Sequence, residues 1–223
     1  MKRKIILALT LAIMLIVIFA ISVSAAEPVK TWDISASSSD SVTAYLYEDT
    51  ENSGYYTLTI SGTGKMKNWT YAYQVPWMAC IYTDKIVNVT VEDGVKNIGL
   101  NAFNGCLSLK TVVIGKDVSS VSNVAFSKCD SLISIDVVNE NAYFKTIDGN
   151  LYSKDGTELI RYAIGKTDTS FNIPNGVTYI ELNAIEDACN LTEIIIPDSV
   201  TYISGSAFKA CRALKKVTIG KNV

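Results

Sequence analysis

The chain has 223 residues, a formal net charge of −2, 48% hydrophobic residues and no histidine. The missing histidine rules out Ser-His-Asp and Cys-His arrangements and any His-based zinc site, and removes the commonest general base. A mildly acidic chain is also a poor match for nucleic acid or an anionic membrane surface, because both reward basic patches.

At the N-terminus Lys2, Arg3 and Lys4 precede an almost unbroken apolar run from Ile5 to Ile21, and the small residues "SVSAA" follow. This is the layout of a secretory signal over residues 1–25, with cleavage after Ala25 or Ala26. The run falls short of the ~20 apolar residues of a membrane span, and an uncleaved N-terminal anchor is the alternative reading. No cysteine follows the run, which argues against a lipid anchor. Loss of the three basic residues takes the formal charge from −2 to −5. The sequence thus predicts a secreted or cell-surface protein with no membrane contact beyond the signal segment.

Residues 26–83 contain "TWDIS", "SVTAYLY" and "YYTLTIS", which read as strands separated by Ser-, Asp-, Asn- and Gly-rich turns. They predict a small antiparallel β unit that caps whatever follows. "SGTGKM" at 61–66 resembles a phosphate loop only in part: Thr59 stands where the first glycine should be, and Met66 where Ser or Thr should be. Turn glycines are the better reading. Trp69, Tyr71, Tyr73, Trp77 and Tyr82 then form an aromatic stretch. It is either an apolar seal between cap and repeats or a stacking platform for sugar rings centred on Trp69. The seal is favoured, because an exposed first repeat must be covered by something large.

From residue 84 a 23-residue period takes over. Four units align without gaps, opening at Val95, Val118, Val177 and Val200. Ile98, Val121, Ile180 and Ile203 come next, then Ala102, Ala125, Ala184 and Ala207. Phe103, Phe126, Ile185 and Phe208 follow, and later Leu109, Leu132, Leu191 and Leu214. Each unit ends in a β-like pattern: Val112-x-Ile114, Ile135-x-Val137, Ile194-x-Ile196 and Val217-x-Ile219. A half-unit with Ile86, Val89 and Val91 precedes them. One such coil cannot enclose its own apolar columns, so coils must stack into a solenoid with parallel strands about 4.8 Å apart. The "NAF" and "SAF" segments are expected to form a single helical turn on the side away from the strands. Val223 would open a fifth unit in register, and the array is expected to continue past it.

Residues 139–176 break the period, although Phe171-x-Ile173 still fits the strand columns. One coil is therefore enlarged by about 13 residues, and "GNLYSKDGTELIRY" within it reads as a β-hairpin. "IDGN" and "KDGT" lack the ligand spacing of a calcium loop and read as turns.

The five cysteines include Cys106, Cys129 and Cys211 in one column. No close pairs of the zinc type occur. A Cys106–Cys129 disulfide is an alternative, but equivalent side chains on stacked coils point in parallel. Ala188 takes the column position in the third unit, with Cys189 one residue later. Alanine can replace a small buried filler but not a ligand, so these three cysteines read as core.

The "V..I...AF..C..L..V.I" frame, with Pro or Gly after the strand as in "IIIPDSV" and "VTIGKNV", resembles bacterial leucine-rich repeats of the BspA-like (Treponema pallidum type) class. The resemblance covers about residues 84–223. "TLTISGTGKMKNW" and "PW" resemble the segment that precedes such repeats in secreted bacterial proteins, and the hairpin is a recurrent variant there. The resemblance implies a right-handed leucine-rich-repeat solenoid at the cell surface, non-enzymatic, with adhesion as its usual role and diverse partners.

For a partner-binding face the outward strand positions are the candidates: Thr90, Val113, Asp136, Ile195 and Thr218, with Thr111, Ser134, Glu193 and Lys216 two residues earlier. They carry no metal, cofactor, phosphate or nucleophile signature. Such a surface suits a protein, host or neighbouring-cell, or a glycan, and says nothing of oligomeric state. Six strands about 4.8 Å apart and three to four residues wide offer roughly 300 Å², against ~800 Å² per partner in a standard interface. The competing reading is a spacer or targeting module of a larger secreted or wall-bound protein whose active domain lies beyond residue 223.

Overall fold

The computed structural model describes residues 26–78 and 81–223; residues 1–25, which the sequence reads as a secretory signal, and Cys80 lie outside the described residues. Three strands open the fold: β1 (Lys30–Asp33), β2 (Ser41–Glu48) and β3 (Tyr56–Thr63), paired antiparallel in that order. Strict alternation buries Val42, Ala44 and Leu46 of β2 and Leu58 and Ile60 of β3, and turns the residues between them outward.

These strands do more than cover the first coil. β3 pairs in parallel with β4 (Ile86–Val91), so the cap and the repeats share one sheet. The aromatic stretch seals the joint from inside. Trp77 is fully buried, meets Trp32 and Trp69 edge-on at 6.0 and 5.7 Å, and stacks on Phe103 at 5.9 Å. Phe103 stacks on Phe126 one coil up, at 5.6 Å. The Trp77 indole N–H donates to Ala102 O at 3.0 Å, so the ring is both packed and satisfied.

Each coil then contributes a main strand and a two-residue second strand. In chain order these begin β5 (Asn97–Ile98), β6 (Thr111–Ile114), β7 (Ser120–Val121) and β8 (Ser134–Val137). The main strands β4, β6 and β8 pair in parallel, as do the second strands β5 and β7. No helix forms between second and main strands. Instead, i→i−3 bonds such as Cys106 N–H to Phe103 O (3.1 Å) make a series of turns. The reason lies in one backbone column: Gly105, Lys128, Asp187 and Ala210 all have φ between 56° and 85°. A right-handed helix cannot continue through a left-handed residue.

The enlarged coil is built differently from a simple hairpin. β9 (Phe144–Ile147), β10 (Asn150–Ser153) and β11 (Glu158–Arg161) form an antiparallel meander. It lies across the solenoid as a partition buried on both faces. Phe144 and Leu151 belong to the N-terminal core, with Ile160 packed against it. Tyr152 and Leu159 belong to the C-terminal core, with Ile147 packed against it. The period-2 alternation of a strand is what lets one segment serve two cores.

Beyond the partition come β12 (Ser170–Asn172), β13 (Tyr179–Ile180), β14 (Glu193–Ile195), β15 (Tyr202–Ile203) and β16 (Lys216–Thr218). β11 takes the second-strand slot and pairs in parallel with β13, which pairs with β15. β12, β14 and β16 form their own three-stranded sheet. The expected single ladder of six main strands is therefore two ladders. The slot next to β8 is taken by the meander, whose Gly149 O accepts from Ile135 N–H at 2.8 Å and whose Thr146 hydroxyl accepts from Val137 N–H at 2.8 Å.

Two buried polar side chains hold the interruption. Asn141 stands 23 residues after Val118, where other units open with valine. Its Nδ2 donates to Gly115 O and Val118 O, and its Oδ1 accepts from Tyr143 and Phe144 N–H, all within 2.8–2.9 Å. Arg161, 2% exposed, donates to Phe126 O on one side of the partition (3.0 Å) and Asn183 O on the other (2.7 Å). Four ion pairs join residues 23 apart, the base always one coil above the acid: Asp93–Lys116, Glu186–Lys209, Glu193–Lys216 and Asp198–Lys221, at 2.6–3.2 Å. The three exposed pairs add ~0–1 kcal/mol each, so they mark register more than they stabilise, whereas Glu186 of the fourth is buried.

Candidate functional site

The first sheet runs β1-β2-β3-β4-β6-β8, and its outward face is continuous across cap and coils. Cross-strand register sets its rows. One row is Thr31, Tyr45, Thr59, Thr90, Val113 and Asp136. The next is Tyr47, Thr57, Asn88, Thr111 and Ser134. Tyr45 and Tyr47 sit two residues apart on one strand, so they project together, with ring centroids 6.5 Å apart.

The polar groups of this face are largely tied to one another. Asp49 accepts from Thr57 and Asn88, both at 3.2 Å, and Thr111 donates to Asn88 Oδ1 at 2.7 Å. Ser134 donates to Asp136 at 2.8 Å. The result is a half-buried surface of threonine and tyrosine on which Thr57, Asn88, Thr111, Ser134 and Asp136 are held by side-chain hydrogen bonds before any partner arrives. Among the described residues, no group of three or more His, Cys, Asp or Glu is arranged to hold a metal ion.

Of the strand-face candidates, Thr90, Thr111, Val113, Ser134 and Asp136 lie together on this sheet. Glu193, Ile195, Lys216 and Thr218 lie on the separate sheet beyond the partition, where Glu193 and Lys216 form an ion pair at 2.6 Å. The nine residues therefore make two surfaces, not one. Sequence reasoning missed Thr31, Tyr45, Tyr47, Thr57 and Thr59. Their outward direction is legible in the alternation of "SVTAYLYE" and "YTLTISGT", but no local signal says that cap strands join the repeat sheet.

The cysteines sit elsewhere. Cys106 and Cys129 are free and fully buried, and Cys211 is half-buried. Burial pushes the Cys106 thiol well up and the Cys129 thiol to about 12. The column has a polar function as well. Cys129 S–H donates to Phe103 O and Cys211 S–H to Ile185 O, both at 3.1 Å and both 26 residues back. Cys189 is exposed.

The remaining motifs are structural. Gly62 has φ +123° and would place a Cβ 1.9 Å from Ser41 O, so "SGTGKM" is a tight strand end. Asp148 and Gly149 both have positive φ, the signature of a type I′ hairpin turn. In "KDGT" the Asp155 carboxylate accepts from Thr157 N–H and from the Ser153 and Thr157 hydroxyls, which together hold it down to about 2. Trp69 is only 7% exposed, so a sugar platform cannot rest on it; Tyr71 and Tyr73 are the exposed rings of that stretch.

The family model described as "BspA type Leucine rich repeat region" matches residues 78–160 and 162–223 in 6 copies. The chain belongs to this family. Among solved structures, the pneumococcal vaccine antigen PcpA is 22% identical with a TM-score of 0.53, over 62% of this chain and 40% of that one. A leucine-rich repeat protein from Eubacterium ventriosum is 22% identical, over 86% of this chain and 73% of that one, with a TM-score of 0.40. A leucine rich cell surface protein from Faecalibacterium prausnitzii is 19% identical, over 80% and 75%, with a TM-score of 0.45. At these identities the likeness is one of fold. No curated protein matches the chain.

Proposed function

We propose that this chain is a non-enzymatic protein-binding module, exported and displayed at a bacterial cell surface, where it serves adhesion through the outward face of the first sheet. The observation that carries the reading is the continuous six-strand face on which Tyr45 and Tyr47 stand beside the hydrogen-bonded row of Thr57, Asn88 and Thr111. Tyrosine supplies large contact area at low entropic cost, and pre-fixed polar side chains lose little freedom on binding. Export is supported by the basic and apolar layout of residues 1–25. Five inter-strand steps of about 4.8 Å and five residues of about 3.3 Å give a patch near 400 Å². That is about half of a standard partner footprint, so binding by this face alone is weak.

The test is biolayer interferometry against a panel of purified extracellular proteins, with the glycan alternative covered by a neutral-oligosaccharide array. Tyr45→Ala with Tyr47→Ala, and separately Thr90→Lys with Val113→Lys, should abolish any binding seen. Matched changes at Ile195 and Thr218 should leave it intact. Binding lost only with the second set moves the site to the other sheet, and binding untouched by both sets refutes the reading.

A further inference from the structure

The interruption of the solenoid leaves a second feature on the β5–β7 column, away from the rows described above. In that column every upper coil donates N–H groups down to the coil beneath it. Ser119 and Ser122 donate to Lys96 O and Ile98 O, Thr178 and Glu181 to Thr157 O and Leu159 O, and Thr201 and Ser204 to Thr178 O and Ile180 O. The equivalent carbonyls one coil above Lys96 and Ile98 are those of Ser119 and Val121. Among the described residues neither receives a backbone N–H. The counterparts of those donors 23 residues on are Ala142 and Lys145; among the described residues Ala142 N–H meets neither carbonyl, and Lys145 is paired with Tyr152 of β10. β11 cannot either, since it is paired to β10 and β13.

A cleft of about 350 Å³ opens along this bare edge. Its apolar side is Val121, Phe144 and Ile160, and its rim carries Glu158 and Glu181. Neither carboxylate forms an ion pair among the described residues. The cleft therefore offers two acceptor carbonyls, two acceptor carboxylates and an apolar wall. Its complement is a chain that brings N–H donors at strand spacing and a cation on an aliphatic stem.

We propose that the cleft between β7 and β11 docks an extended, lysine- or arginine-bearing segment of a partner protein by strand addition to β7. The segment's N–H groups meet Ser119 O and Val121 O, its methylenes lie on Val121, Phe144 and Ile160, and its charged end reaches Glu158 and Glu181. A divalent cation would use the carboxylates but not the apolar wall. A neutral glycan would use neither charge.

The probe is an acetylated and amidated hexapeptide of alternating valine and lysine, titrated into the intact chain and followed by amide shifts in two-dimensional NMR. The valine–glutamine and valine–glutamate counterparts serve as controls. Shifts are expected at residues 119–123 and 158–160 with the lysine peptide, at least tenfold weaker binding with the glutamine peptide, and none with the glutamate peptide. Glu158→Gln with Glu181→Gln should weaken the lysine peptide at least tenfold. Ser120→Lys, at an exposed strand position, should compete by placing an ammonium at the rim; both variants should keep the native spectrum elsewhere. The proposal fails if the lysine peptide shifts other surfaces instead, if the glutamine pair binds it equally, or if calcium alone or a neutral oligosaccharide reproduces the shifts. It also fails if the same amides shift with protein concentration alone, which would assign the cleft to a second copy.

Discussion

Replacing Arg161 with methionine tests whether the partition is what joins the two cores. Methionine keeps most of the volume but removes the donors to Phe126 O and Asn183 O. A bond from a charged donor is worth ~1.5–3 kcal/mol, so two lost bonds cost ~3–6 kcal/mol; a third contact, to Glu186 O at 3.4 Å, adds little. Against this, a buried cation is itself costly, and burial is the leading cause of Arg161's lowered pKa. Relief of that penalty leaves a net loss of about 3 kcal/mol, because the carbonyls stay buried without donors. With a urea slope of about 2–3 kcal/mol per molar, the midpoint should fall by about 1 M.

The assay has a built-in separation. All three tryptophans, Trp32, Trp69 and Trp77, lie in or against the N-terminal core. Tryptophan fluorescence therefore reports that core, whereas far-UV circular dichroism reports both. In Arg161→Met the dichroism transition should begin at lower urea than the fluorescence transition, since the C-terminal core loses its tie first. Arg161→Lys should recover less than half of the loss, as one ammonium cannot span both carbonyls. A midpoint shift below about 0.3 M, with both probes still coincident, would refute the reasoning.

Asn141→Val restores the residue found at the head of other units, yet should cost about 2–4 kcal/mol in chemical denaturation, because four hydrogen bonds within 2.9 Å are lost in a fully buried site; an unchanged or raised midpoint would show that the column alone governs. In the folded protein at pH 8, Cys106 and Cys129 should resist a disulfide-exchange reagent while exposed Cys189 reacts at once, and rapid reaction of Cys106 would overturn its core placement. Asp155 has its folded pKa lowered to about 2 from 3.8, so what it contributes to stability is complete above about pH 4 and is lost as the pH falls through 2. The stability difference between the native chain and Asp155→Asn should therefore shrink steadily between pH 4 and pH 2, and a difference independent of pH there would refute this assignment.

The cysteine column shows how far the sequence alone carries. Substitution by Ala188 marks it as core; Cys106 and Cys129 are fully buried and Cys211 is half-buried. The thiol hydrogen bond to a carbonyl 26 residues back has no sequence signature, since it depends on how coils stack. The helical turn expected at "NAF" does not form, because a left-handed residue stands two places after the phenylalanine column. Gly105 hints at it; Lys128, Asp187 and Ala210 do not.

The 23-residue period, read against the rule that one coil cannot bury its own columns, was enough to determine a solenoid with parallel strands, because that pattern has one stable way to leave water. It also located the interruption at 139–176 and the turns within it. Only the tertiary structure decided that the cap strands extend the repeat sheet, that the interruption is a partition between two cores, and that it divides the main ladder and bares the edge of β7. These outcomes turn on which strand edges meet. Backbone N–H and C=O groups are the same in every residue, so their pairing is settled by the packing of the whole chain and not by the local letters.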